Sequence, residues 1–209
     1  MNAFIIVDIQ NDFCPGGALA VHDGDRIIPV INKLVLQFDT VVLTQDWHPD
    51  GHSSFASSHP GKQPYETIEL SYGTQVLWPD HCVQGTSGAD FHPDLEQQAG
   101  QLILRKGFRK GIDSYSAFYE NDQTTVTGLS GYLKNRGVDT LYICGLATDF
   151  CVKWSALDGI KEGFSVYVVE DAVAGIDLND SVAAAWKEME AAGVQRIIST
   201  DIALKSALA

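Results

Sequence analysis

Positive charge is scarce in this chain. Fourteen Lys and Arg stand against 27 Asp and Glu, a formal net charge of −13 over 209 residues. A surface this acidic repels phosphate backbones and anionic lipid, so nucleic acid and membrane are excluded as partners. Long apolar runs are missing as well. The first, Asn2 to Val7, is broken at once by Asp8. That is too short for a signal-peptide core or a transmembrane helix. Cysteine is sparse. Cys14, Cys82, Cys144 and Cys151 show no C-x-x-C and no framework spacing, which excludes a disulfide scaffold and points to reduced thiols in the cytoplasm. No G-x-G-x-x-G and no P-loop occur, so no nucleotide is implied. Internal repeats, low-complexity segments and linkers are absent too.

What is present is an ordinary globular composition, 45% hydrophobic and 20% charged, long enough for one well-buried core. The expectation is a single domain over residues 1–209. Short runs rich in Val and Ile read as six strands: AFIIVD (3–8), TVVLTQD (40–46), QLILRKG (101–107), DTLYIC (139–144), FSVYVVED (164–171) and VQRIIS (194–199). Helical spacing lies between them, in Ile27, Ile31, Leu34, Val35 and Phe38, in residues 129–136, after Cys151, and from Asp180 or Ser181 to Gly193. Alternating strands and helices predict an α/β fold with a parallel sheet covered on both faces. Right-handed crossovers then bring every strand's C-terminal end to one edge, where such sheets bind ligands.

Asp8, Asp46, Lys106 and Cys151 all fall at that edge. Cys151 lies in GLATDFCV, after the fourth strand and in the first turn of the next helix, which Thr148 or Asp149 can cap. Unpaired N–H groups at a helix start favour a thiolate and offer donors to an oxyanion. The residues alone leave two readings, an activated nucleophile or a buried structural thiol. Asp8 is the candidate base, and Lys106 a cation between them; the alternatives are a turn cap and a solvated lysine.

The segment from Trp47 to Gly100 is too long for an inert connection. It holds five of the six histidines. Asp46-Trp47-His48 puts two ligand side chains on one side of an extended segment, His52 follows, and WPDHC brings His81. One carboxylate with two or three imidazoles suits a divalent ion, zinc first and iron or manganese as alternatives, with room left for water. Otherwise these are histidines of a surface loop. His59 and His92, beside prolines, read as turn residues, and His22 has no evident partner. Phe13 and Trp78, in loops at the same edge, either hold a flat ring between them or pack under a loop.

Together, IIVDIQNDFCPGGALAV, TQDWHP, WPDHCVQGTSGADFHP, RKG, DSYSAF and GLATDFCV resemble the bacterial nicotinamidases (pyrazinamidases) of the isochorismatase-like hydrolases. The resemblance runs from Phe4 to about Ser199. It implies a three-layer α/β/α sandwich with a six-stranded parallel sheet, bearing a metal-binding insertion at about 46–100. It also implies hydrolysis of nicotinamide to nicotinate and ammonia, in NAD recycling, and of pyrazinamide likewise. By position it makes Cys151 the nucleophile, Asp8 the base and Lys106 the third member. Asp46, His48 and His81 become ligands of one divalent ion that holds the pyridine nitrogen, with His52 as a further candidate. Phe13 and Trp78 flank the ring. A cis Leu146–Ala147 peptide aims the N–H groups of Ala147 and Cys151 at the oxyanion. Nothing carries over for Cys14, Cys82 or residues 61–76, and the oligomeric state is left open. Three competitors remain: a hydrolase using metal-activated water, with Cys151 a bystander; a non-catalytic binding protein; and a relative acting on a ureido compound or isochorismate. The DWH and WPDHC elements favour nicotinamide over the last.

Overall fold

The Val- and Ile-rich runs become strands β1 (Asn2–Val7), β2 (Thr40–Asp46), β5 (Leu102–Lys106), β6 (Thr140–Leu146), β7 (Ser165–Ala174) and β8 (Gln195–Ile197) in the computed structural model, which describes residues 1–202. They form one sheet in the order β5-β2-β1-β6-β7-β8, and every neighbouring pair is parallel. Helices α1 (Ile28–Val35), α2 (Leu129–Asn135), α3 (Lys153–Lys161) and α4 (Ser181–Ala191) make four of the five crossovers, and the connection from β2 to β5 carries no α-helix. Successive β1 side chains point to opposite faces. Phe4 and Ile6 pack with Ile28, Ile31 and Leu34 of α1. Ala3, Ile5 and Val7 pack with Leu129 and Leu133 of α2, Ala156 of α3 and Met189 of α4. The result is the expected α/β/α sandwich. Each fully buried Ile or Phe contributes about 1.5–3 kcal/mol through water removed from its surface, and β1, apolar on both faces, is buried from Ala3 to Val7.

The segment after β2 is not structureless. β3 (Thr67–Leu70) and β4 (Gly73–Val76) pair as an antiparallel hairpin outside the main sheet. The sequence shows little trace of it, because its strands are short and mostly half-buried or exposed. Among the described residues no helix is long and apolar enough to cross a membrane.

Two expected caps are not made. Thr148 and Asp149 do not cap the helix after β6; the Asp149 carboxylate instead accepts hydrogen bonds from the 176–181 segment. Neither Asp180 nor Ser181 caps α4 with its side chain; Asp177 Oδ1 accepts the Val182 N–H there. At α4 a carboxylate from the preceding turn takes the local one's place, and after β6 the local carboxylate is drawn to a distant segment; sequence spacing registers neither.

Glu162, just past α3, ties two helices of one face together. It accepts from Lys134 Nζ at 2.8 Å and from the hydroxyls of Tyr119 and Ser130. The Lys134, Ser130 and Tyr119 donors hold its carboxyl down to about 2, from the usual 4.5. A depressed folded-state pKa contributes stability above the unfolded value that is lost as pH falls through the folded one. Glu162→Gln is therefore expected to cost on the order of 1 kcal/mol at neutral pH, kept small because the site borders solvent. Urea unfolding should show the difference narrowing as pH drops below about 4.5.

Candidate active site

β2 and β5 pair with Asp46 opposite Lys106, so the last residues of two parallel strands meet at the sheet edge. Asp8 follows β1 directly, in a left-handed conformation with φ 49°. Its N–H and Oδ1 both engage the Thr44 hydroxyl, which accepts from the first at 3.2 Å and donates to the second at 2.6 Å. The Lys106 ammonium is 2.8 Å from Asp8 Oδ2 and 2.6 Å from Asp46 Oδ1. It also donates to the Ser114 carbonyl at 3.1 Å and to Cys151 Sγ at 3.3 Å. Apart from its ion pair with Lys106, Asp8 Oδ2 has no hydrogen-bond partner. Asp8, Asp46 and Cys151 each bring an acceptor or sulfur atom within 4.8 Å of the others. All four side chains are buried.

Electrostatics in this knot are set by burial against charge. Burial alone would push the Lys106 ammonium down, but Asp46 and Asp8 outweigh it and keep it charged, well above 10.5. Burial raises Asp8, with Lys106 opposing and Asp46 adding. Asp46 is also raised by burial, yet Lys106 and His48 carry it well below the usual carboxylate range. Cys151 corrects an expectation. Burial, helped by Asp8 and Asp46 and only partly offset by Lys106, pushes the thiol well above 9. Burial thus works against the thiolate that a helix start would favour.

Cys151 occupies a π-helical turn, Thr148–Val152, inserted between β6 and α3 rather than the first turn of α3 itself. Such turns recur at functional sites. The Leu146–Ala147 peptide preceding it is cis. The Ala147 carbonyl accepts from Phe150 and Val152, the N–H groups on either side of Cys151. Gly145, with φ 114°, admits the close approach of β1: a Cβ there would lie 2.1 Å from the Val7 carbonyl oxygen.

Asp46 also faces two imidazoles. His48 Nδ1 donates to the Gly107 carbonyl at 2.9 Å and His81 Nδ1 to the Pro79 carbonyl at 2.8 Å. Each ring therefore turns a lone pair on Nε2 inward, 3.3 Å and 3.6 Å from Asp46 Oδ2. Three acceptors converging in a buried space repel one another unless a cation lies between them. The donor set fits a divalent ion with open positions. Gly107 is needed beside it, since a Cβ would stand 2.4 Å from His48 Cε1. His52 is buried near His48, its ring 4.4 Å away. Both of its nitrogens are engaged, Nδ1 with Ser54 Oγ at 2.7 Å and Nε2 with the carbonyls of Arg109 and Ile112 at 3.0 and 3.1 Å. It groups with His48 and Asp113, not with Asp46 and His81. His59 bonds the Ser53 carbonyl, and His22 lies 3.5 Å from Asp23, both outside the site.

One cavity touches both clusters. Asp46, His48 and His81 line it together with Cys151 and Ala147, and Phe13 and Trp78 add aromatic walls. Tyr115, Phe150, Leu19, Ile176 and Asp113 also line it. None of these five stands out in the sequence by chemistry or spacing. Phe150 adjoins Cys151 and Tyr115 lies in DSYSAF, so proximity to a motif is the only signal. Trp78 stands edge-on to Phe150, ring centres 4.8 Å apart, and its indole N–H donates to the Tyr115 hydroxyl at 3.1 Å. Gln75 of β4 donates to the same hydroxyl and to Asp113 Oδ2, both at 3.0 Å, so the hairpin buttresses this wall. Cys82 serves locally: its N–H donates to Asp12 Oδ2 at 2.7 Å, fixing the chain next to His81.

The family model described as the isochorismatase domain matches residues 2–201. A nicotinamidase of Acinetobacter baylyi is 61% identical over 200 residues, covering 96% of this chain and 94% of that protein. Among solved structures, a nicotinamidase/pyrazinamidase of Acinetobacter baumanii superposes with a TM-score of 0.95 at 64% identity, over 96% of this chain and 97% of the other. A pyrazinamidase of Pyrococcus horikoshii in complex with zinc superposes at 0.77 with 39% identity, covering 94% and 98%. With its fold, its sheet-edge residues and these similarities in agreement, the chain belongs to the isochorismatase family.

Proposed function

We propose that this protein hydrolyses nicotinamide to nicotinate and ammonia, and pyrazinamide to pyrazinoate, within NAD salvage in the cytoplasm. We further propose that residues 1–209 act as one domain, with 46–100 as the insertion that carries most of the metal site. The observation that carries the reading is one aromatic-walled cavity lined both by the Cys151 thiol, which the Lys106 ammonium backs from behind, and by the three-ligand cluster of Asp46, His48 and His81. The likeness to nicotinamidases over nearly the whole chain supports it.

In this reading Phe13 and Trp78 hold the pyridine ring and direct its carboxamide toward Cys151. Asp46, His48 and His81 hold one divalent ion, zinc by the donor set and by the zinc-bound relative. When bound, that ion supplies a Lewis-acidic anchor for the ring nitrogen. Asp8 takes the Cys151 proton as sulfur attacks the carboxamide carbon. Its raised pKa suits a base that must hold the proton and then release it. The N–H groups of Ala147 and Cys151 receive the developing oxyanion. Asp8 returns the proton to nitrogen, ammonia departs, and a nicotinoyl thioester is left on Cys151. Water, deprotonated by Asp8, cleaves the thioester and the thiol re-forms. Lys106 orients Asp8 and balances the two carboxylates throughout.

One preparation tests this: ammonia release from nicotinamide by the pure protein, with metal content measured on the same sample. About one divalent ion per chain is expected, as a single three-ligand site implies. Asp46→Ala and His81→Ala should each lose the ion by elemental analysis, whereas His52→Ala should keep it, since both His52 nitrogens are already engaged. Full metal retention in Asp46→Ala and His81→Ala would overturn the ligand assignment; wild-type protein inert toward nicotinamide would overturn the activity.

A further inference from the structure

Asp149 is buried two residues before Cys151 and has no part in the chemistry above. Its carboxylate accepts three hydrogen bonds from one distant segment: from the Ile176 N–H at 3.0 Å, the Asp177 N–H at 2.9 Å and the Ser181 hydroxyl at 2.5 Å. No ion pair of Asp149 occurs among the described residues, so these donors are what balances a buried negative charge. The segment needs glycine to seat there. A Cβ on Gly175 would lie 2.2 Å from Val182 Cγ2 and 3.1 Å from Asp149 Oδ1.

This segment is also a wall of the cavity. Of the residues lining it, Tyr115, Phe150 and Ile176 are half-buried and the rest are buried. Tyr115 and Phe150 are locked to each other and to Trp78, with ring centres 5.7 Å apart and 4.8 Å from Phe150 to Trp78. Ile176 is aliphatic and lies between β7 and α4, outside regular structure. Just beyond it Asp177, Asn179 and Asp180 all hold left-handed backbone, with φ of 59°, 54° and 62°. Asp and Asn adopt that conformation more readily than other non-glycine residues, as turn backbone does. The stretch is thus an outer wall of irregular backbone, fastened to the turn that carries Cys151 by one carboxylate.

We propose that Asp149 is a positioning residue: it latches Gly175–Ser181 over the cavity, and release of this latch opens the path by which a planar amide reaches Cys151. The proposal rests on the hydrolase reading above. Closure by Ile176 then sets ring affinity and ring-size selectivity, while bond cleavage stays with Asp8, Lys106 and Cys151.

Ser181→Ala tests this gently, because it removes one donor and no charge. KM for nicotinamide should rise by roughly tenfold or more, the lower end of what one hydrogen bond to a charged group is worth, with kcat within about twofold. Quinoline-3-carboxamide, wider by a fused ring, should gain in kcat/KM relative to nicotinamide. Asp149→Asn should do the same more strongly. Ile176→Ala removes the wall's contact with the ring, so Ser181→Ala added to it should change KM little further, a non-additive pair. Iodoacetamide should alkylate Cys151 several-fold faster in Ser181→Ala, read on the Cys151 peptide by mass spectrometry. An unchanged KM and alkylation rate in Ser181→Ala, a loss confined to kcat, or full additivity with Ile176→Ala would each overturn the latch. If wild-type protein leaves nicotinamide untouched, the hydrolase reading falls, and the alkylation comparison still decides the latch.

Discussion

Cys151→Ala is expected to lose nicotinamide turnover by on the order of a thousandfold or more, the usual result when one member of a unit acting together is removed. The fold should survive, because the change deletes one sulfur from a turn whose backbone is held by the Ala147 carbonyl and by α3. Bound metal should survive too, since Asp46, His48 and His81 converge without help from the thiol. Comparing circular dichroism, metal content and ammonia release on one sample separates these outcomes. Turnover close to wild type would mean that water attacks the amide directly and the thiol is a bystander. The buried Lys106 ammonium sharpens the expectation. It touches Asp8, Asp46 and Cys151 at once, an arrangement that a binding protein has no use for.

The second large effect concerns ring recognition. In the proposed binding mode Phe13 and Trp78 would accept any flat six-membered ring, so selectivity would fall to the polar side chains of the cavity. Nicotinamide and pyrazinamide both carry a nitrogen meta to the carboxamide and both should be hydrolysed. Benzamide has the same outline but leaves the ligand cluster without its partner. Picolinamide places its nitrogen ortho, out of reach. A site built around one polar contact can reject an analogue lacking it by roughly 10⁴-fold. Values of kcat/KM for the four amides on one metal-replete preparation decide the point. Benzamide hydrolysed as fast as nicotinamide would show that the ring nitrogen is not read.

Much of this was legible before any coordinates. The six main-sheet strands follow from apolar runs of strand length, and parallel order follows from the helices between them. Once every strand end shares one edge, Asp8, Asp46, Lys106 and Cys151 must lie near one another, and they do. What escaped the sequence depends on partners brought in from afar. Burial of Cys151 between two carboxylates reversed the thiolate expectation, because the cost of desolvation is a tertiary quantity. His52 shares a loop with His48, yet carbonyls of Arg109 and Ile112 claim its Nε2. Tyr115, Phe150 and Ile176 reach the cavity from three unrelated turns, and no local pattern announces such a meeting. Asp149 looked like a cap for its own helix and proved to be a tether for another segment.

The pairing of β1 with β6 has a consequence for how this protein fails. Asn2 lies beside Thr140 and Val7 beside Gly145, so within the sheet one strand pairing joins the early part of the chain to the late part. Asp8, Phe13, Asp46, His48, Trp78, His81 and Lys106 stand on one side of that join in sequence; Ala147, Phe150 and Cys151 stand on the other. On the roles proposed above, the nucleophile comes from one stretch of polypeptide and the base and anchor from the other. Loosening of that pairing would then separate nucleophile from base and anchor together, and partial damage would have no half-active form to settle into. Loss of catalysis under heat or denaturant should coincide with melting of the sheet, which makes turnover itself a gauge of whether the molecule is intact.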